Sequence, residues 1–538
     1  MEGLSLAGSA VADSALRTRR AVLWVIAIAT LVRLWFALAT ELGNDEVYYW
    51  AYAAHPDWSH FDHPPMVGWI IQLFTLNLRL DSEVFIRLAA VVSAAIATWL
   101  MYVIGRRLGG ERAGLFAAIL HTSTVYGSVL AGIVILPDAP LVVFWLLALG
   151  LLLEALPAQE IGPRERRLVL FAGVAIGLAM LSKYQGIFLG MGAVLYVLAY
   201  DRRWLREPVL YGSMALAAVI ASPILVWNLK NDFISFTYQG GRVAPGLSLR
   251  LDYFGTELAG QVLYQNPLTW LLIAAAVLAI VRGARVVDRP RLRILLLNAL
   301  PLWVVFTGFS LFRSTLPHWT GPAYLPLILL AGVYWAGRFG GAEKPGFAAV
   351  PWRLNASIIL LVVMLAAMTM AIRFIPQGFG REEPETRRGE GDPTMDMYGM
   401  DQVRVGVEEV LAADVRAGRM SPNAAIMSYR WFPAAHIDYY VATPLGRRLL
   451  AAGSLDAVHK YWWINQRREA LRVGDDAYYV AVSNWYSDPE ESFGRLFESI
   501  EPADTIRVWR AGAHVKNAFV YRLLGYNGEP PVTGVPTE

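Results

Sequence analysis

The chain is 538 residues long and 56% hydrophobic, with a formal net charge of +3 and no cysteine. That balance gives no basic footprint for nucleic acid, and the missing cysteines exclude disulfides and thiolate chemistry. The apolar residues gather into recurring runs of about 17–22, which excludes an ordinary soluble multidomain protein and reads as a polytopic α-helical membrane protein.

The first apolar run follows Arg17-Thr18-Arg19-Arg20 and ends near Ala37-Leu38-Ala39, so it shares features with a signal peptide. Arg33 interrupts it and many spans follow, so it is read as an uncleaved first span. Eleven spans are expected by window length, near 21–40, 84–104, 113–134, 138–155, 168–182, 184–200, 208–227, 266–282, 293–312, 320–338 and 354–374. The apolar piece 66–76 is too short to span and is expected to lie in the interface or re-enter. The basic loops RTRR, GRRLGGER, PRERR, DRRWLRE, RGARVVDRPRLR and GRFGGAEK–PWR all fall on one side under this count, and the positive-inside rule makes that side cytoplasmic.

The opposite, extracytoplasmic side collects the other polar segments. The first is a large loop (41–83) that contains NDEVYYWAYAAHPDWSHFDHPP, a stretch that holds Asp45, Glu46, Asp57, Asp62, His55, His60 and His63 and itself has no Lys or Arg. Asp45 and Glu46 follow directly on the first span, where a desolvated acid can act as a base and an Asp can equally start a helix. Asp62 and His63 are placed for a substrate or a divalent metal ion, although the histidines lack the i, i+4 spacing of a helical metal site. Asp138, in ILPDAP, reads equally as a helix cap or a substrate contact. Lys183 in SKYQG, Arg313 and His318 in FRSTLPHW, and Arg242 and Arg250 in the loop after 227 are cations on the face where the positive-inside rule least expects them. An anionic substrate such as a phosphate accounts for them, as does pairing with the acids of the opening loop. Arg33, inside a span, is expected to face a buried carboxylate.

After about 375 the composition changes. QGFGREEPETRRGEGDPT reads as a linker, and the rest, up to 538, as a soluble extracytoplasmic α/β or α+β domain. Strands are expected in MSYRWFPAAHIDYYVA, DDAYYVAVSN and NAFVYRLLGY, and a helix in SFGRLFESI. The division is therefore a membrane module over 1–375 and a soluble domain over 376–538.

The segments NDEVYYWAY, FDHPPMVGW, FIRL, PDAPLVVFW, LSKYQG, WNLKNDFISFTYQ and LPHWTGPAYLPL, in this order over residues 33 to about 330, resemble the bacterial branch of the protein-mannosyltransferase-like glycosyltransferases of the C-type superfamily. The resemblance extends to the transferases that add aminoarabinose or uronic acid to lipid A. It implies a bundle of about 11–13 transmembrane helices with a large first outer loop and an outer-face soluble domain. It also implies inverting transfer of a sugar from a polyprenyl-phosphate carrier to a lipid, glycan or protein acceptor, on the periplasmic face of the bacterial inner membrane. By that resemblance Asp45 is the catalytic base, Glu46 its neighbour and Asp138 the second acid. Tyr49, Asp62, His63, Lys183, Tyr184, Gln239, Arg313 and His318 are expected to contact substrate, with Asp62 and His63 as metal ligands if a divalent ion is used. Where the aminoarabinose transferases carry Glu-Lys this chain has Asp62-His63, so either a protonated His63 holds the carrier phosphate or Lys183 and Arg313 do, with His318 beside them. The alternative from another class is a transporter or flippase for a lipid-linked sugar. Its charges would sit near the midplane between repeated halves, and no repeat is visible.

Overall fold

The computed structural model describes residues 2–243, 248–339, 346–376 and 378–534. The chain divides into two compact units. The first comprises Met1–Trp35, His63–Ile70 and Val84–Leu365, and the second Phe36–Asp62, Ile71–Glu83 and Ala366–Glu538. Positions 340–345 of the last basic loop, Gln377 at the start of the linker and the final residues 535–538 lie outside the described residues.

The first unit is helical. Among the described residues six helices are long and apolar enough to cross a bilayer: Asp13–Ala39, Glu83–Gly109, Asp138–Ala155, Pro208–Leu229, Arg289–Phe309 and Trp352–Arg373. The pair Leu251–Tyr264 and Pro267–Val281, bent by 101°, makes a seventh if taken as one span. The chain is a multi-pass membrane protein. Two further expected spans are the continuous helices Pro163–Ser182 and Gly321–Arg338, which are not among the six, and the rest are shorter or interrupted helices. The run 113–134 is a helix to Ser123 followed by a π turn over Tyr126–Leu130. The runs on either side of 183 are separated by an extended Lys183 and a 3₁₀ turn, Tyr184–Gly186.

The 101° bend has a local cause. Asn266 sits at φ 62°, its side chain accepts from the Leu268 amide, and Pro267 opens the next helix. Its Nδ2 also donates to the carbonyls of Ser123 and Ser357, at 2.9 and 2.8 Å, so the chain reversal is tied to two other helices. Asn266 is fully buried, so an unmatched carbonyl beside it would find no water and needs such a side-chain partner. Burial of Trp145, Trp204, Leu325 and Leu329 marks the apolar centre of the unit.

The second unit holds a five-stranded mixed sheet with the spatial order Leu449–Ala451, Ala425–Ser428, Ala477–Val482, Ala513–Tyr526, Phe497–Arg510. The first three strands are parallel and the last two pairings antiparallel. The helix Met400–Arg416 is fastened to it through Asp414, which accepts from Arg522 at 2.7 and 2.9 Å, from Arg419 at 2.8 Å and from the Tyr478 hydroxyl. The strands expected in DDAYYVAVSN and NAFVYRLLGY are present. Two local expectations change. Of the first aromatic stretch only Met427 and Ser428 are strand, the end of Ala425–Ser428, while residues 431–442 are helical, kinked at Phe432 and buried on every side from Phe432 to Ala442. In SFGRLFESI the helix stops at Phe493, and from Phe497 the chain joins the sheet as its edge strand.

Candidate functional site

In the second unit the opening loop forms the helix Asn44–Ala54. Glu46 is buried and its Oε2 accepts from the Gly43 amide at 2.9 Å, so this carboxylate caps the helix start that holds Asp45. Asp45 lies in the first turn and is exposed, with its charge aligned favourably with the helix dipole. Tyr49 is a buried core side chain packed edge-on against Tyr52 at 5.4 Å, not a surface platform for sugar.

Asp62 is buried and its Oδ1 accepts from the hydroxyls of Tyr48, at 3.0 Å, and Tyr52. Tyr48 in turn accepts from the Lys460 amide at 3.2 Å. Asp57 pairs with Arg467 at 2.9 Å and with the buried Lys460 ammonium at 3.6 Å. The basic partners of this acidic stretch thus come from the C-terminal part of the same unit. Burial pushes Lys460 down to about 7, and burial with Arg468 beside it pushes His55 down to about 3. No group of three or more His, Asp or Glu side chains among the described residues has a metal-binding arrangement, and Asp62 is committed to two phenols. The residues therefore do not fit the metal site expected at Asp62 and His63.

In the first unit, Lys183 is buried and its Nζ sits 2.6 Å from Asp138 Oδ2. The Tyr126 hydroxyl donates to the other oxygen of Asp138 at 2.9 Å. Asp138 is not the cap of its helix, a place taken by Pro137; it is the counterion of Lys183. Two glycines permit this. A Cβ on Gly186 would stand 2.5 Å from the backbone of Ala179, so only glycine lets the chain fold back after Lys183. A Cβ on Gly321 would stand 2.1 Å from the Tyr126 ring.

Lys183 also lines a cavity of about 600 Å³ with His63, Tyr184, Gln239 and Arg242. The rest of the lining is mainly apolar, including Met180, Ile187, Phe188, Ala221, Ile224, Leu225, Phe236, Phe306 and Trp319. Arg242 stacks over Trp319 at 5.0 Å and Tyr238 at 5.6 Å, and among the described residues no carboxylate pairs with it. Arg313 is not in this lining; it donates to the Gly241 carbonyl and so holds the segment that carries Arg242. His318 is also outside the lining, and burial with Lys183 nearby pushes its imidazole down to about 3, so it is neutral near pH 7. Of the expected cations, Lys183 reaches the cavity and Arg313 does not. Arg242 had the signal of an outer-face cation four residues after Tyr238 on a helix, whereas Tyr126 carried no signal in its apolar run. Arg33 donates to Ser128 Oγ at 3.0 Å, a hydroxyl in place of the expected carboxylate.

Residues 62–227 match the model of the family described as dolichyl-phosphate-mannose-protein mannosyltransferase, a segment that contains Asp62, His63, Asp138 and Lys183. The chain is 27% identical over 299 residues to the lipid A galacturonosyltransferase RgtD of Rhizobium johnstonii, covering 54% of this chain and 60% of that protein. It is also 27% identical over 346 residues to the undecaprenyl phosphate-alpha-4-amino-4-deoxy-L-arabinose arabinosyl transferase of Pseudomonas aeruginosa, covering 60% of this chain and 58% of that protein. The chain thus spans about three-fifths of the length of these curated relatives. The crystal structure of ArnT from Cupriavidus metallidurans in the apo state superposes with a TM-score of 0.62 at 16% identity, over 93% of this chain and 97% of that one. The same protein bound to undecaprenyl phosphate superposes at 0.56 with 18% identity, over 96% and 99%. Residues 62–227 are thus similar in sequence to that family, the chain is similar to two lipid-modifying glycosyltransferases over more than half its length, and its fold is that of ArnT.

Proposed function

We propose that the protein is an integral-membrane glycosyltransferase that moves a sugar from a polyprenyl-phosphate carrier to an envelope acceptor, with lipid A as the first candidate. Its working face is the periplasmic side of the bacterial inner membrane, where the positive-inside rule puts the non-basic loops. The observation that carries this reading is the cavity of about 600 Å³, in which Lys183, Arg242 and His63 share a mostly apolar lining. A lipid phosphate has the same two-part chemistry: an anion that needs charge-assisted donors and a chain that needs an apolar groove. The undecaprenyl phosphate bound by ArnT, whose fold this chain shares, supports it.

The reaction is a single displacement with inversion. An acceptor hydroxyl oxygen forms a bond to the anomeric carbon as the bond from that carbon to the phosphate oxygen breaks. The electron pair leaves with the carrier phosphate, whose growing charge Arg242 and Lys183 stabilise. The hydroxyl proton passes to the Asp45 carboxylate. Asp138 keeps Lys183 charged and aimed, and the neutral His318 adds no charge to the phosphate site.

Mass spectrometry of envelope lipids and glycans from cells with and without the protein tests this. A sugar-bearing species that disappears with the protein and is not restored by Asp45→Asn supports the reading. Full restoration by Asp45→Asn refutes the base assignment, and an unchanged envelope refutes the transfer itself.

A further inference from the structure

The C-terminal part of the second unit does more than cover the opening loop. It grips the few residues that lead into Asp45. Leu42 is fully buried and both of its backbone groups are held by side chains one helical turn apart. Its amide donates to the Tyr440 hydroxyl at 2.6 Å, and that hydroxyl donates on to Glu83 Oε1 at 3.3 Å. The Leu42 carbonyl lies 3.1 Å from His436 Nε2, which is also 2.9 Å from the Asp396 carbonyl. Both neighbours of Nε2 are acceptors only, so Nε2 carries the proton and shares it between them. His436 Nδ1 is buried without a hydrogen-bond partner among the described residues, so no acceptor is there to hold a proton on it.

The neighbouring residues are held in the same way. The Glu41 carboxylate accepts from the amides of Met400, at 2.9 Å, and Asp401 at the start of the helix Met400–Arg416. Asn44 Nδ2 donates to Asp396 Oδ2 at 2.9 Å, and the other oxygen of Asp396 accepts from Trp485 Nε1 and Asn484 Nδ2. Residues 41, 42 and 44 are thus tied to the region around the sheet, and the next residue, Asp45, is left exposed in the first turn.

We propose that His436 and Tyr440 are positioning residues for Asp45: their two-point grip on the Leu42 peptide sets the helix start from which the base works, which makes the C-terminal region part of the transfer machinery. The inference rests on the reading of Asp45 as the base. Its physical ground is that a displacement of about 1 Å in a reacting group lowers rate by about 100-fold, while binding of a ligand elsewhere is untouched.

The test uses the full-length protein with Tyr440→Phe, His436→Leu, His436→Gln and Asp45→Asn. Product is read by mass spectrometry of the envelope, amide exchange over residues 41–47 by hydrogen–deuterium exchange, and carrier affinity with undecaprenyl phosphate in nanodiscs. Tyr440→Phe and His436→Leu are expected to lower product at least 10-fold and speed exchange at 41–47, with undecaprenyl phosphate affinity within twofold of the parent. His436→Gln, which keeps an N–H donor, is expected to restore most of the product. Product within twofold of the parent in Tyr440→Phe, despite faster exchange, overturns the inference. If His436→Leu fails to fold, the Tyr440→Phe and His436→Gln pair decides it by the same criteria. Loss of activity in Asp45→Asn alone overturns only the positioning proposal, whereas full activity in Asp45→Asn overturns the base reading on which it stands.

Discussion

Asp138→Asn is the substitution whose effect follows most directly from the structure. Asp138 and Lys183 are 1% and 4% exposed at the side chain and 2.6 Å apart, so neither charge has water to fall back on. Breaking a buried pair by removing one partner destabilises by about 3–5 kcal/mol, because the other charge is stranded. The amide oxygen of Asn can still accept from the Tyr126 hydroxyl, a bond of about 1 kcal/mol net, so the expected loss lies near the lower end, about 3 kcal/mol. Lys183→Met strands the carboxylate instead, leaving it the Tyr126 hydroxyl as its hydrogen-bond donor among the described residues, and about 3–4 kcal/mol is expected. The double variant Asp138→Asn/Lys183→Met strands nothing and is expected within about 1–2 kcal/mol of the parent, a coupling of about 3 kcal/mol or more. Unfolding by SDS in mixed micelles, followed by tryptophan fluorescence, measures all four corners of the cycle. Undecaprenyl phosphate should also restore more stability to Asp138→Asn than to the parent, since the stranded ammonium then meets an anion. Single-variant losses under about 1 kcal/mol that add in the double variant would refute a dry, mutually dependent pair.

Four further outcomes follow. Gly321→Ala puts a methyl where the Tyr126 ring lies, so it should displace that ring, destabilise by about 1–3 kcal/mol and weaken carrier binding; parent-like values in the same SDS titration contradict this. Arg242→Ala should lower undecaprenyl phosphate affinity by about 10- to 100-fold, the weight of a charge-assisted hydrogen bond, with Arg242→Lys in between; an unchanged affinity removes Arg242 from the phosphate site. His436 is pushed down to about 4, by burial first and the Lys516 ammonium second, with Glu41, Asp396 and Asp392 facing the same buried cluster. The unfolded ring takes up its proton near pH 6.5 and the folded one does not, so His436 contributes fully above pH 6.5. Up to about 3 kcal/mol of stability should be lost as the pH falls from 6.5 to about 4, and His436→Gln should flatten that slope in pH-dependent unfolding. Lys460→Met leaves Asp57 paired with Arg467 and removes a buried ammonium, so unfolding at pH 7 should shift by no more than about 1 kcal/mol; a loss of about 3 kcal/mol or more would make Lys460 a required counterion.

Membrane character and the segments that carry the resemblance were legible in the sequence, because span length and short motifs are local properties. Lys183 was legible for the same reason: a lysine between two apolar runs on the non-basic face has few structural excuses. Its counterion was not, since Asp138 lies 45 positions away and its own surroundings read equally as a helix start. Arg313 and Arg242 looked alike in sequence. Only the fold separates a side chain that lines the cavity from one that holds a backbone carbonyl nearby. Asp62 and His63 adjoin in sequence but fall in different units, Asp62 bonded to two phenols and His63 lining the cavity. The stretch 431–442 reads as strand in sequence because aromatic richness suits strands and buried helices alike, and a segment buried on every side from Phe432 to Ala442 has no polar face to mark a helical period.

The claim that a lipid phosphate occupies the cavity is tested most directly with a photoactivatable undecaprenyl phosphate and mass-spectrometric mapping of the labelled residues. The account predicts labels on Phe188, Leu225, Phe236 and their neighbours in the cavity wall, suppressed by Arg242→Ala and by unlabelled undecaprenyl phosphate but not by the phosphate-free alcohol. Labels spread over the outer helix surfaces, or equal competition by the alcohol, would contradict it.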